Sequence, residues 1–94
     1  GRVLFRSVVI FGTSEFAEMA YLSLREMDLT LVGFIDEGKV ETFLSYPVRR
    51  PSVLAEWEFD AVLLADIERS REYRETLAQC RVPQGKVFAL APIV

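Results

Sequence analysis

Histidine is absent from this 94-residue chain, and cysteine occurs once, as Cys80. The first absence removes His-based triads, imidazole metal ligands and the commonest general base. The second rules out an internal disulfide and makes a reducing, cytoplasmic setting the default expectation. Together they leave a metal ion only carboxylates to bind, so no metal site is expected. A lone cysteine with no neighbouring charge to lower its thiol pKa reads as a small core residue. Long apolar runs are missing too. Nothing approaches the ~20 residues that span a bilayer, and Val8 to Phe11 is too short for a signal-peptide core, so no membrane association is expected. Positive charge is scarce: the net charge is −3, and Arg49-Arg50 is too short to form a basic stripe. Direct nucleic-acid contact by this segment is therefore not expected.

What is present points to one packed domain over residues 1–94. Hydrophobic residues make up 51% and charged residues 27%, a globular balance with enough material for a single core. The start at Gly1 reads as a cut from a longer protein. Ser7 to Phe11 is short, β-branched and aromatic, as a buried strand is. Ser14 to Met27 carries Ala17, Ala20, Tyr21 and Leu24 at helical spacing, with Thr13 or Ser14 able to cap the start. Thr30 to Ile35 is a second buried strand. Lys39 to Pro51 is irregular; Thr42 to Tyr46 can form a short edge strand or a hairpin, and Pro47 and Pro51 speak against a central strand. Ser52 can cap a short helix through Val53, Leu54 and Trp57. Asp60 to Ala65 is a third strand, Ser70 to Arg81 a second helix, and Lys86 to Leu90 a fourth strand.

Strand–helix–strand, twice over, predicts a mostly parallel sheet in a three-layer Rossmann-like α/β domain, with strand order 2-1-3-4 and a possible short edge strand. The turn after the first strand, Gly12-Thr13-Ser14-Glu15-Phe16-Ala17, matches the dinucleotide fingerprint Gly-x-Gly-x-x-Gly/Ala in two of its three small residues. Ser14 replaces the glycine that lets a pyrophosphate approach. Asp36 ends the second strand 24 residues after Gly12, near the ~20-residue offset at which such sites place a ribose-binding acid. With Asp66, which follows the third strand, the candidate ligand-binding residues are Gly12, Thr13, Ser14, Glu15, Phe16, Asp36 and Asp66. The bland alternatives are a purely structural turn at Gly12, a solvated turn acid at Asp36, and a helix-capping role for Asp66 with Ser70. No nucleophile–base pair is visible, and no catalytic residue is assigned.

The stretches VVIFGTSEFAEMAYLSL, LTLVGFID, FDAVLLAD and RVPQGKVFAL resemble two sets of small domains from bacterial polysaccharide biology. One is the Rossmann-like C-terminal domain of winged-helix transcription regulators. The other is the N-terminal sugar-nucleotide-binding domain of sugar acyltransferases. Acyltransferases tend to have a glycine-rich turn followed by a histidine, where this chain has Ser14-Glu15-Phe16. The regulator resemblance implies a non-catalytic domain that senses a nucleotide or sugar nucleotide and works as a homodimer. The acyltransferase resemblance implies a sugar-nucleotide-binding domain separated from its catalytic repeats. A structural dimerisation module with a decayed pocket is the third expectation. Surfaces expected to pair are the Thr42–Pro51 edge and the Ser70–Arg81 helix.

Overall fold

A computed structural model describes residues 6–89. The element order is β1 (Ser7–Phe11), α1 (Glu15–Glu26), β2 (Thr30–Ile35), β3 (Thr42–Phe43), β4 (Tyr46–Arg49), a 3₁₀ turn (Pro51–Ala55), β5 (Ala61–Leu64), α2 (Ser70–Gln79), a second 3₁₀ turn (Gln84–Lys86) and β6 (Val87–Ala89). The strands form one six-stranded sheet in the order β3-β4-β2-β1-β5-β6. Pairings are parallel except β3 with β4, which is antiparallel.

This order differs from the expected 2-1-3-4, because a two-stranded hairpin extends the sheet beyond β2. Thr42 pairs with Pro47 and Phe43 with Tyr46. The hairpin turns through Leu44 and Ser45, at φ 50° and 70°, which is the positive-φ pair of a two-residue type I′ turn. Such turns usually announce themselves with Asn-Gly, and Leu-Ser carries no such signal. Pro47 was expected to keep this stretch out of the sheet interior, yet β4 lies between β3 and β2. The reason is local. The Val48 amide points to the hairpin side and donates to Glu41 O at 2.9 Å, so the position of Pro47's missing amide faces the β2 side. Pairing with β2 covers only Val48 and Arg49, so no acceptor waits there.

Successive side chains of a strand point to opposite faces, and both faces of β1 are buried. Val8 and Ile10 pack with Ala17, Ala20 and Leu24 of α1 and with Phe34. Val9 and Phe11 pack with Tyr73 and Leu77 of α2 and with Val53 and Leu54 of the 3₁₀ turn. The sheet is therefore the middle of three layers. A β-bulge interrupts β1–β2 pairing between Val8 and Val9. Just past it the Trp57 ring lies so close to Gly33 that an added Cβ would sit 2.6 Å from Trp57 Cη2.

Element limits shift in small ways. Ser14 is the N-cap of α1, and its hydroxyl accepts from the Phe16 amide at 3.2 Å. Ser52 does not cap its turn: Arg50 holds that position without a side-chain bond, Pro51 stands first, and the segment is 3₁₀ rather than α-helical. The second helix stops at Gln79, with Cys80 as its C-cap. Lys86 belongs to a 3₁₀ turn and not to the last strand. Leu90, the last residue of the expected fourth strand, lies outside the described residues.

Candidate functional site

The carboxyl ends of β1, β2 and β5 meet at one rim, and the residues there are drawn together by side-chain bonds. Gly12 turns the chain at φ +123°, a region open in practice to glycine alone. Its amide donates to Ile35 O at 2.9 Å. A Cβ at this position would lie 3.3 Å from Ala65 O and 3.6 Å from the Tyr73 hydroxyl. The Thr13 hydroxyl donates to Asp36 Oδ2 at 3.1 Å. The Ser14 hydroxyl donates to Ala65 O at 3.1 Å. That last bond ties the loops after β1 and β5 together across the point where a ligand was expected to enter.

Asp36 is the buried polar residue of the core, 7% exposed. Its amide donates to Arg49 O at 3.0 Å, which holds the strand end against β4. Oδ2 has Thr13, but Oδ1 is buried with no protein partner among the described residues. A buried acceptor left unpaired costs about 1–3 kcal/mol, and such groups are few in native proteins.

Tyr73 of α2 is a further residue of this rim, outside the expected set. Its ring does stack on Phe11, with centroids 3.9 Å apart and planes 12° from parallel. Its hydroxyl, however, reaches the underside of the Gly12 turn. Burial, and then the negative charge of Asp36, push its pKa up to about 12, so it stays a neutral donor at any physiological pH. The Arg69 guanidinium lies over the same ring, 5.1 Å from its centroid, and pairs with Glu72 at 3.3 Å. The signal that could have found Tyr73 is its place one turn into the helix that follows the third strand, directly beneath the β1 turn.

Of the expected residues, Gly12, Thr13, Ser14 and Asp36 are linked or adjacent. Glu15 and Phe16 are exposed on the first turn of α1. Among the described residues no protein acceptor takes the amides of Thr13, Ser14 or Glu15. Asp66 neither caps α2 nor joins Asp36. Its Oδ1 accepts from the amides of Glu68 and Arg69, at 3.0 and 3.2 Å, and shapes the loop. A cleft of about 430 Å³ opens on the other side of Asp36, lined by Gly38, Lys39, Val40, Glu41, Val48, Arg49 and Arg50. Of the seven expected residues only Asp36 lines it. No group of three or more His, Cys, Asp or Glu able to hold a metal ion occurs among the described residues. No helix among them is long and apolar enough to cross a membrane.

A mostly parallel sheet between helical layers, with a glycine turn after β1 and an acid at the end of β2, defines a Rossmann-like α/β domain. The chain belongs to the C2185-like family, whose N-terminal domain matches residues 5–88. Among solved structures it is similar to UDP-D-quinovosamine 4-dehydrogenase from Vibrio fischeri, with 21% identity and a TM-score of 0.70, over 94% of this chain and 80% of that one. No curated protein matches. None of these comparisons points to a winged-helix regulator.

Proposed function

We propose that this domain binds a nucleotide or sugar nucleotide and does not transform it. The observation that carries the reading is the buried Asp36 carboxylate, paired to Thr13 through one oxygen and unpaired at the other. An ordered, desolvated acceptor at the rim of a Rossmann-like sheet suits the hydroxyl groups of a ribose or sugar. The similar structure is that of a UDP-D-quinovosamine 4-dehydrogenase, which favours a UDP-linked ligand within that class. A binding role without chemistry is in keeping with the side chains there. Among the described residues the rim offers carboxylates, hydroxyls and an arginine, with no nucleophile set beside a base. The use of such binding by a transcription regulator, or in polysaccharide biosynthesis, draws no support from the comparisons, so the proposal stops at binding.

The test is calorimetry of the domain with UDP, UDP-N-acetylglucosamine and NAD. Binding of a UDP compound, with no turnover on prolonged incubation, is the expected outcome. Silence toward all three at millimolar concentration would return the domain to a structural role.

Homodimerisation belongs to the same proposal, but the expected surface changes. The outer face of α2 is polar, with Arg71, Glu72, Arg74 and Glu75 exposed. The exposed large apolar side chains include Phe16, Met19, Leu22 and Met27, all on α1 or at its end. Leu22→Glu is expected to lower the mass seen by light scattering if α1 is the contact.

A further inference from the structure

We propose that the phosphoryl end of the ligand lies in the cleft between the loop after β2 and the hairpin, held by Lys39 and Arg49, and not over the amino end of α1. This rests on reading the domain as a binder of nucleotides or sugar nucleotides. It concerns where that ligand's charge goes.

The amino end of α1 is poorly placed to receive an anion. Its helix dipole and the free amides of Thr13, Ser14 and Glu15 favour negative charge. Against this, the Phe16 amide is already taken by Ser14 Oγ. The Ser14 side chain is anchored to Ala65 O, and Glu15 brings its own carboxylate to the first turn. The Thr13 hydroxyl is committed to Asp36. A phosphate there would meet one carboxylate on the helix and another beneath the turn.

The cleft on the far side of Asp36 has the opposite character. Lys39, Arg49 and Arg50 line it with Glu41 as the opposing acid, and its volume of about 430 Å³ lies within the ~300–1,000 Å³ of small-molecule sites. The Arg50 guanidinium donates to Glu37 O at 3.0 Å, which fixes the wall of the cleft. The side chains of Lys39 and Arg49 have no ion-pair or hydrogen-bond partner among the described residues, where Arg69–Glu72 is the salt bridge. Two uncommitted cations in a cleft that Asp36 also lines match a ligand with both hydroxyl donors and a negative group. Asp36 takes the hydroxyls, and Lys39 and Arg49 take the phosphoryl oxygens. The hairpin supplies Arg49 and the loop after β2 supplies Lys39, so the site exists only because the sheet continues past β2.

The experiment uses the whole chain with UDP and uridine as probes, followed by ¹⁵N amide shifts and calorimetry. The variants are Lys39→Ala/Arg49→Ala and Glu15→Gln. Lys39 and Arg49 are exposed, and a thermal melt confirms that the double variant folds. The double variant is expected to weaken UDP by about tenfold or more and to leave uridine within about twofold, with a shallower salt dependence. Glu15→Gln is expected to change UDP binding by less than about twofold. Amides of residues 39–41 and 48–50 are expected to shift with UDP. Unchanged UDP affinity in the double variant, with shifts confined to residues 13–16, overturns the inference and leaves the binding function standing. If wild-type protein binds neither probe, this inference falls, and the functional reading is then decided by UDP-N-acetylglucosamine and NAD.

Discussion

At the scale of single residues, the rim after β1 and β2 separates positions that hold the turn from those proposed to meet a ligand. Gly12 belongs to the first kind. Gly12→Ala puts a Cβ 3.3 Å from Ala65 O on a backbone at φ +123°, and is expected to destabilise the domain by about 1–3 kcal/mol in urea titrations. Asp36 belongs to the second. Asp36→Ala removes an acceptor for the ligand's hydroxyls and is expected to weaken a UDP-sugar by about 1–3 kcal/mol in calorimetry. Its effect on stability is expected to be smaller, because the variant also removes the unpaired Oδ1. Unchanged binding would move the site away from β2. Tyr73→Phe keeps the stack on Phe11 and loses only the hydroxyl under Gly12. The melting temperature should hardly move, and any loss of affinity then measures the ligand's contact with that hydroxyl.

Among the elements, both helices end in the same unusual way. Asp28 and Arg81 sit at φ 60° and 63°. Behind them Leu29 N reaches Leu24 O at 2.9 Å and Val82 N reaches Leu77 O at 3.0 Å. These are Schellman closures in which the left-handed residue is not glycine. An L-residue in that region costs about 1–2 kcal/mol, while glycine adds freedom to the unfolded chain. Asp28→Gly and Arg81→Gly are each expected to raise stability by up to about 1 kcal/mol, read from the urea midpoint. The Leu44-Ser45 turn carries the same strain twice over, and Asn-Gly there is the corresponding stabilising change. The end of α1 was legible to within a residue, but the end of α2 and the choice between an edge strand and a hairpin were not. The chain lacks the glycines that normally mark such places; at the end of α1, packing of Leu29 against the core accompanies the strained residue instead.

For the whole molecule, the amino ends of β1 and β5 are closed by one acid. Asp60 Oδ2 accepts from the amides of Arg6 and Ser7, at 2.8 and 3.0 Å, and from the Ser7 hydroxyl at 3.2 Å. The Arg6 amide and then the Ser7 amide hold the Asp60 pKa below its ordinary value. A depressed folded-state pKa means that ionised Asp60 favours the folded state. The contribution is complete above the unfolded-chain carboxylate pKa and is lost as pH falls through the lower, folded value. Wild-type protein is therefore expected to lose stability steadily below about pH 4, and Asp60→Asn to be less stable at neutral pH with a flatter acid limb. Thermal melts across that range would show the difference. An unchanged acid limb would assign acid unfolding to other carboxylates.

The sequence by itself determined the layered α/β class, the two helices and the buried strands. Those depend on local periodicity, on apolar runs such as Val8–Phe11, and on a serine where a helix cap is needed. It also pointed to Gly12 and Asp36, because a turn and a strand-ending acid have a fixed spacing within one strand–helix–strand unit. The six-stranded order, the bridge from Ser14 to Ala65, the hydroxyl of Tyr73 beneath Gly12 and the cationic cleft beside Asp36 were decided only by the tertiary structure. Each joins residues far apart in the chain, through backbone pairing and packing that no local pattern records.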